Sequence, residues 1–340
     1  MSSDLITVHR NNLSLNTTIL HKTEITRQMF LDNYLLFMEP YIAKGLPSQN
    51  TIQNYKKAIE AFFAWCKKNN RNPLDIEEFE LRQYVSFLRQ KTLSERTIAQ
   101  KLAALKSFYR AAIKTNVKSD ENPVLDIGVR INVQNDADFV SFTTQELGEI
   151  EEALIKISGL NTFTVKRNLL IFYFMCVEGL RNIEIHRANI DDINWDNGTI
   201  LIRGKGAVGR KDLIYPCGKT LRLLKEYTAM LEEKKFKNEE RFAPLIVSVS
   251  NQTSGKRISR NGLRDIMNRA LKEAGYKETG ISCHVFRHSC ATNLYEKTKD
   301  IRVVQETLRH RDPRIAARYA HLRDRLLNRQ TEKIIPQTTK

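Results

Sequence analysis

His284-Val-Phe-Arg287-His-Ser-Cys-Ala-Thr292, followed by Leu308-Arg-His310 and then by Tyr319, is the stretch from which the rest of the chain is read. It sets a phosphate clamp beside a nucleophile. Arginine offers a planar fork of donors that matches two phosphate oxygens, histidine donates or shuttles a proton near neutral pH, and a tyrosine phenolate can attack phosphorus. Together these side chains point to phosphoryl transfer through a covalent phosphotyrosine.

Upstream, a strongly apolar run from Leu169 to Val177 leads into Gly179-Leu180-Arg181, which is read as a helix running into a second guanidinium for the clamp. Thr199-Ile-Leu-Ile-Arg203 reads as a strand, Gly204-Lys205-Gly206 as a turn, and Asp212-Leu-Ile-Tyr215 as the returning strand. Lys205 therefore belongs to a hairpin turn, from which a lysine can enter a groove and protonate a leaving oxygen.

The order Arg181, Lys205, His284, Arg287, His310 and Tyr319 resembles the catalytic pattern of the tyrosine recombinases, or phage integrases, which include the Xer-type chromosome-dimer resolvases. That family typically places its last histidine in a Leu-Gly-His turn with the tyrosine nine positions later, as His310 and Tyr319 are placed here. Two positions depart from the pattern. Arg309 stands where the glycine usually lies, a residue that would allow a positive backbone angle, and Phe286 replaces the usual leucine. The resemblance covers roughly residues 23 to 326, and the ordered set of six is far more specific than any motif within it.

Composition agrees with a polyanionic partner. A formal net charge of +16 over 340 residues favours nucleic acid or an anionic surface, and no run of about eighteen apolar residues marks a membrane span. Met1 to Asn16 is polar and lacks a signal-peptide core. The five cysteines, 66, 176, 217, 283 and 290, are odd in number and scattered. They fit a reduced cytoplasmic chain without a disulfide framework.

Helical periodicity organises the first part. A helix is expected around Thr26 to Met38. Ile52, Tyr55, Ile59, Phe62 and Phe63 line one face of another, which runs to Trp65 and stops near Asn69-Asn70. A further helix over Glu77 to Gln90 is expected to bury Phe79, Tyr84, Phe87 and Leu88. The next starts after Ser94, whose side chain can cap it, and turns Ile98, Leu102, Leu105, Phe108 and Tyr109 inward until Thr115. Arg96, Thr97, Gln100 and Lys101 lie on its polar side as candidate groove or phosphate contacts; the alternative is an ordinary solvated face.

Lys118 to Pro123 is polar and ends in proline, and no helical period follows as far as Ala137. Thr143-Thr-Gln-Glu146 then offers a capping box that opens a second helical region. Helices from Lys219 to Lys234, from Asn261 to Glu273, and around Phe286 and Tyr319 complete the reading. The expected organisation is an N-terminal arm over 1–22, a helical core-binding domain over 23–118, a linker over 119–140, a catalytic domain over 141–326 and a tail over 327–340. The fold class is mainly α with a small antiparallel β-sheet, two domains that the resemblance makes a clamp on duplex DNA.

The resemblance also implies a mechanism. Tyr319 attacks phosphorus, Arg181 and Arg287 bind the non-bridging oxygens, His284 and His310 donate hydrogen bonds to those oxygens or manage the tyrosine proton, and Lys205 protonates the departing 5′ oxygen. No cofactor and no metal is called for, because the guanidiniums and the lysine supply the positive charge. The implied partner is double-stranded DNA with a specific recombination site. A homo-tetramer on two duplexes is expected, alone or with a sister recombinase, with the C-terminal segment docking on a neighbouring protomer or packing at home.

Taken singly, each residue has an ordinary reading: Arg181 a cap, Lys205 a solvated turn lysine, Tyr319 an aromatic packed on one helix face. Their joint order reverses that judgement. His288, four residues after His284, invites a zinc reading, but Val285 stands where the metalloprotease motif needs glutamate. Two other functions share parts of the pattern, a type IB topoisomerase-like relaxing enzyme and a DNA-binding regulator that has lost catalysis. The helical first domain and the segment after Tyr319 favour recombination over the first, and the intact set of six argues against the second.

Overall fold

The computed structural model describes residues 25–119, 121–128, 140–204, 211–236 and 242–309. The chain divides into two units, Met1–Gln134 and Asn135–Lys340, each with its own core.

In the first unit, short helices α1 (Arg27–Asp32) and α2 (Tyr34–Met38) precede three longer ones, α3 (Gln49–Lys68), α4 (Glu78–Gln90) and α5 (Glu95–Lys114). Sequence reading ran α1 and α2 together. Asn33 separates them: its backbone leaves the helical region, and its side-chain amide donates to the Met29 carbonyl at 3.1 Å, closing the first helix. The longer helices begin where capping chemistry predicts. Ser48 and Ser94 accept from the backbone N–H of Thr51 and Thr97, which satisfies donors that the first turn would otherwise leave unpaired. Asn69 closes α3, and Asn70 follows in the left-handed region at φ +52°.

The core of this unit is aromatic. Phe30, Phe62, Tyr84, Phe108 and Tyr109 are all fully buried, with Phe62 and Tyr84 edge to face at 5.1 Å between ring centroids, the geometry that the ring quadrupoles favour. One expected core residue is displaced. Phe79 is 68% exposed and Phe87 only half-buried, because the face that α4 turns inward is set by Leu81, Tyr84, Val85 and Leu88. Phe79 falls outside that arc. At the start of the expected linker, Val124 is buried in this same core, and the Asn122 amide donates to the Lys106 carbonyl at 2.9 Å.

The second unit opens on α6 (Thr144–Ser158), capped by Thr143, whose N–H donates to the Glu146 carboxylate at 2.7 Å while Glu146 N–H donates back to its hydroxyl. Helix α7 (Thr162–Cys176) is buried on nearly every side, and α6, α9 (Gly218–Glu233) and α11 (His284–Thr298) pack around it. A helix apolar all round belongs in the middle of a domain. Between them lie α8 (Asn182–Arg187) and an antiparallel sheet of β1 (Ile193–Asn194), β2 (Thr199–Arg203) and β3 (Lys211–Ile214), in that order. The register pairs Ile200 with Ile214 and Arg203 with Lys211. Helix α10 (Arg260–Glu273) covers α6 and α8. A further short helix, α12 (Ile301–Thr307), which sequence reading did not separate, is capped by Asp300. Among the described residues no helix is long and apolar enough to cross a membrane.

Candidate active site and nucleic-acid interface

Helix α7 stops at Cys176, and Arg181 is not at its end as the sequence suggested: it caps the next helix, α8. The link is short and sharply bent at Gly179, φ +62°, where a Cβ would stand 2.4 Å from the Leu308 side chain and 3.2 Å from the Cys290 sulfur. Glycine is required here by backbone angle and by space. Behind it, Glu178 is buried and accepts from the Thr220 hydroxyl at 2.6 Å and from the Cys217 N–H at 3.1 Å. The loop is thereby fastened to the start of α9.

Two of the expected clamp residues meet in this loop. Arg287 lies in the first turn of α11 with its side chain 7% exposed. Its guanidinium donates to the Gly179 carbonyl and, at 2.5 Å, to the Leu308 carbonyl. Those bonds draw the loop before Arg181 and the turn after α12 onto one side chain. Arg181 donates to Glu184 twice, from its backbone N–H at 2.8 Å and from its guanidinium at 2.7 Å. Arg287 lies 4.0 Å from the same carboxylate.

Glu184 is the residue that sequence reading missed. Its side chain is 1% exposed, so its charge is tolerable only because cations and donors surround it. Burial pushes its carboxyl up, yet the charge of Arg309, the backbone and side-chain bonds from Arg181, and the charge of Arg287 together hold it below the ordinary carboxylate value. Its sequence signal was available: a carboxylate three positions after Arg181 at a helix start, where it accepts the capping residue's N–H.

His284 is exposed at the first position of α11, one turn before Arg287. Phe286 anchors that turn, fully buried and edge to face with Phe172 at 5.5 Å. Cys283 and Cys290 are both buried. Cys290 donates to the Val177 carbonyl at 3.1 Å, and burial pushes its thiol up to about 12. Lys205, His310 and Tyr319 lie outside the described residues. The base of the hairpin that carries Lys205 is described: Arg187 donates to the Gly204 carbonyl at 3.0 Å, and Arg203 grips both oxygens of the buried Asp192 at 2.7 and 2.8 Å. Helix α8 therefore joins Arg181 at one end to the hairpin base at the other.

In the first unit, Thr97, Gln100 and Lys101 on α5 face Thr51, Asn54 and Lys57 on α3 across an open groove of about 370 Å³. Arg96 is exposed but does not line it. The Thr97 hydroxyl lies 2.9 Å from that of Ser94 and belongs to the helix cap, whereas Gln100 is solvent-facing.

The profile of the phage integrase family matches residues 142–325, more than half of the chain, and that of the phage integrase N-terminal SAM-like domain matches residues 36–116. The chain belongs to the phage integrase family. The chain is 28% identical over 282 residues to tyrosine recombinase XerC of Leptospira interrogans, covering 82% of this chain and 83% of that one. It is also 28% identical over 299 residues to tyrosine recombinase XerD of Listeria innocua, covering 86% and 93%. Its fold matches that of the XerH site-specific recombinase in a post-cleavage complex with palindromic difH substrate, at a TM-score of 0.67 and 24% identity, covering 82% of this chain and 78% of that one. The fold is thus the two-domain, mostly helical one that the sequence predicts.

Proposed function

We propose that this tyrosine recombinase cuts and rejoins two DNA duplexes at a specific site, with Tyr319 as the nucleophile. Its relatives are named tyrosine recombinases. The observation that carries the residue assignment is the pair of guanidiniums, Arg181 and Arg287, held on one buried carboxylate with His284 a turn away. Such a pair is preorganised to bind a phosphodiester's non-bridging oxygens and to stabilise the charge that builds up in the transition state.

The Tyr319 oxygen bonds to phosphorus, the bond to the 5′ oxygen breaks, the tyrosine proton passes to His284 or His310, and Lys205 supplies a proton to the departing 5′ oxygen. The product is a 3′-phosphotyrosine and a free 5′ hydroxyl. Because the phosphodiester energy is kept in that link, a 5′ hydroxyl from a partner duplex reverses the step without ATP. Gln100 and Lys101, with Asn54 and Lys57 across the groove, contact the duplex from the core-binding domain, 23–118; phosphate contacts position and base contacts specify. The catalytic domain is 141–326. The assembly is a homo-tetramer on two duplexes in the cytoplasm, in which the tail, 327–340, docks on a neighbouring protomer.

Incubation with labelled nicked duplexes from the gene's own neighbourhood, a denaturing gel and peptide mapping test the chemistry. The expected result is an adduct mapping to Tyr319, with a Tyr319→Phe variant that binds the same duplex equally and forms none. Tight binding without any wild-type adduct would leave a DNA-binding protein and remove the enzyme.

A further inference from the structure

The turn after α12 carries an arginine where the family usually has glycine, and the backbone keeps the glycine-like angle: Arg309 sits at φ +54°. L side chains rarely adopt that conformation. An arginine held there is offset by what its side chain does. The side chain is nine-tenths buried, its Nη1 donates to the Thr307 carbonyl at 2.8 Å, and its Nη2 donates to the Glu184 carboxylate at 3.2 Å. Glu184 lies 125 positions away in sequence and is the carboxylate that already holds Arg181 and faces Arg287.

We propose that Arg309 is a positioning residue of the active site: by sharing the Glu184 carboxylate with Arg181 and Arg287, it locks the turn preceding His310 onto the arginine pair. A glycine would leave this turn tied to the site by the Arg287 bond to the Leu308 carbonyl and by the packing of the Leu308 side chain against Gly179. Arg309 adds a side-chain link made at the residue adjacent to His310. It also adds a third cation around the one carboxylate, which takes the cluster from a net charge of +1 to +2 facing a phosphate. The charged groups facing Glu184 are Arg181 at the head of its own helix, Arg287 from α11 and Arg309 from the turn. The charge of Arg309 favours the ionised carboxylate, as do the two bonds from Arg181 and the charge of Arg287.

The inference rests on the recombinase reading, and the test separates the two. Arg309→Gly restores the unstrained backbone and removes the guanidinium; Arg309→Lys keeps a charge and loses the fork. Thermal midpoint, affinity for an intact duplex, and the single-turnover rate of adduct formation at saturating DNA are measured for both variants, wild type and Tyr319→Phe, from acid to neutral pH. Arg309→Gly takes a cation from buried Glu184 but relieves the backbone angle and leaves Arg181 and Arg287 to balance the carboxylate, so it is expected to lower the thermal midpoint only modestly and to keep duplex affinity while the rate of the folded enzyme falls roughly tenfold or more. The acid limb of its rate profile should move upward, because burial then raises the Glu184 carboxyl with less opposing charge. Arg309→Lys should recover part of the rate. A glycine variant with wild-type rate and an unmoved acid limb overturns the positioning role while leaving the recombinase intact, as does a rate loss that merely tracks a loss of stability. A wild type that forms no adduct overturns the recombinase reading and this role with it.

Discussion

Glu184 is one carboxylate answering to three arginines from three segments, and at the residue scale the site depends on it. Removing one member of a buried charge cluster costs about 3–5 kcal/mol, mostly because the remaining charges stay buried and unbalanced. Glu184→Gln preserves shape and removes charge, so it is expected to lose stability on that order in urea denaturation and to misplace Arg181. The sign of the pH dependence follows from its lowered carboxyl. The ionised form is favoured by folding, so its contribution is fully present above the ordinary unfolded value of about 4.3 and is lost as pH falls through the lower folded value. Wild type measured against Glu184→Gln should therefore show a stability difference that shrinks only in that acid range; a difference that does not change there would place the pH sensitivity elsewhere.

Helix α5 shows how an element joins folding to binding. Its apolar face, Ile98, Leu102, Leu105, Phe108 and Tyr109, is buried, and Thr97, Gln100 and Lys101 beside it line the groove with α3. A phosphate-contacting lysine acts through counterion release, so Lys101→Ala should weaken binding about equally across duplex sequences and reduce the salt slope of log K by about 1. Gln100 carries no charge, so a loss at Gln100→Ala would be sequence-dependent and leave that slope unchanged. If neither variant changes affinity or slope, this face is only a solvated one. Helix α8 performs the corresponding task in the second unit. Six residues long, it is too short to be stable alone, and it is held by Glu184 at its start and by the Arg187 bond to the hairpin base at its end.

For the whole molecule, two separate cores allow each unit to contribute independently to one DNA-bound assembly. A chain with a net charge of +16 is steered to the polyanion before any specific contact forms. Assembly is a separate property, proposed to reside in the tail. Deleting residues 328–340 should retain the Tyr319 adduct and lose strand exchange between two duplexes. Recombination equal to that of the full chain would show that the tail does not link protomers.

Periodicity and capping are local, and so the positions of α3 to α6, the β2–β3 hairpin and the caps at Ser94 and Thr143 could be read directly from the residues. The ordered set ending in His310 and Tyr319 was enough to suggest the family that the chain matches, because residue types in that order and spacing are legible whatever surrounds them. Burial was less legible. Phe79 has the composition of a core residue, yet which arc of α4 is covered is decided by the helices packed on it, and Asn33 breaks a helix by bonding back to a carbonyl that the pattern does not mark. Least legible was the meeting of Glu184, Arg287 and Arg309. Whether an arginine in an unfavoured backbone angle finds a buried carboxylate depends on where three distant segments converge, and that is set by tertiary packing rather than by any repeat in the sequence.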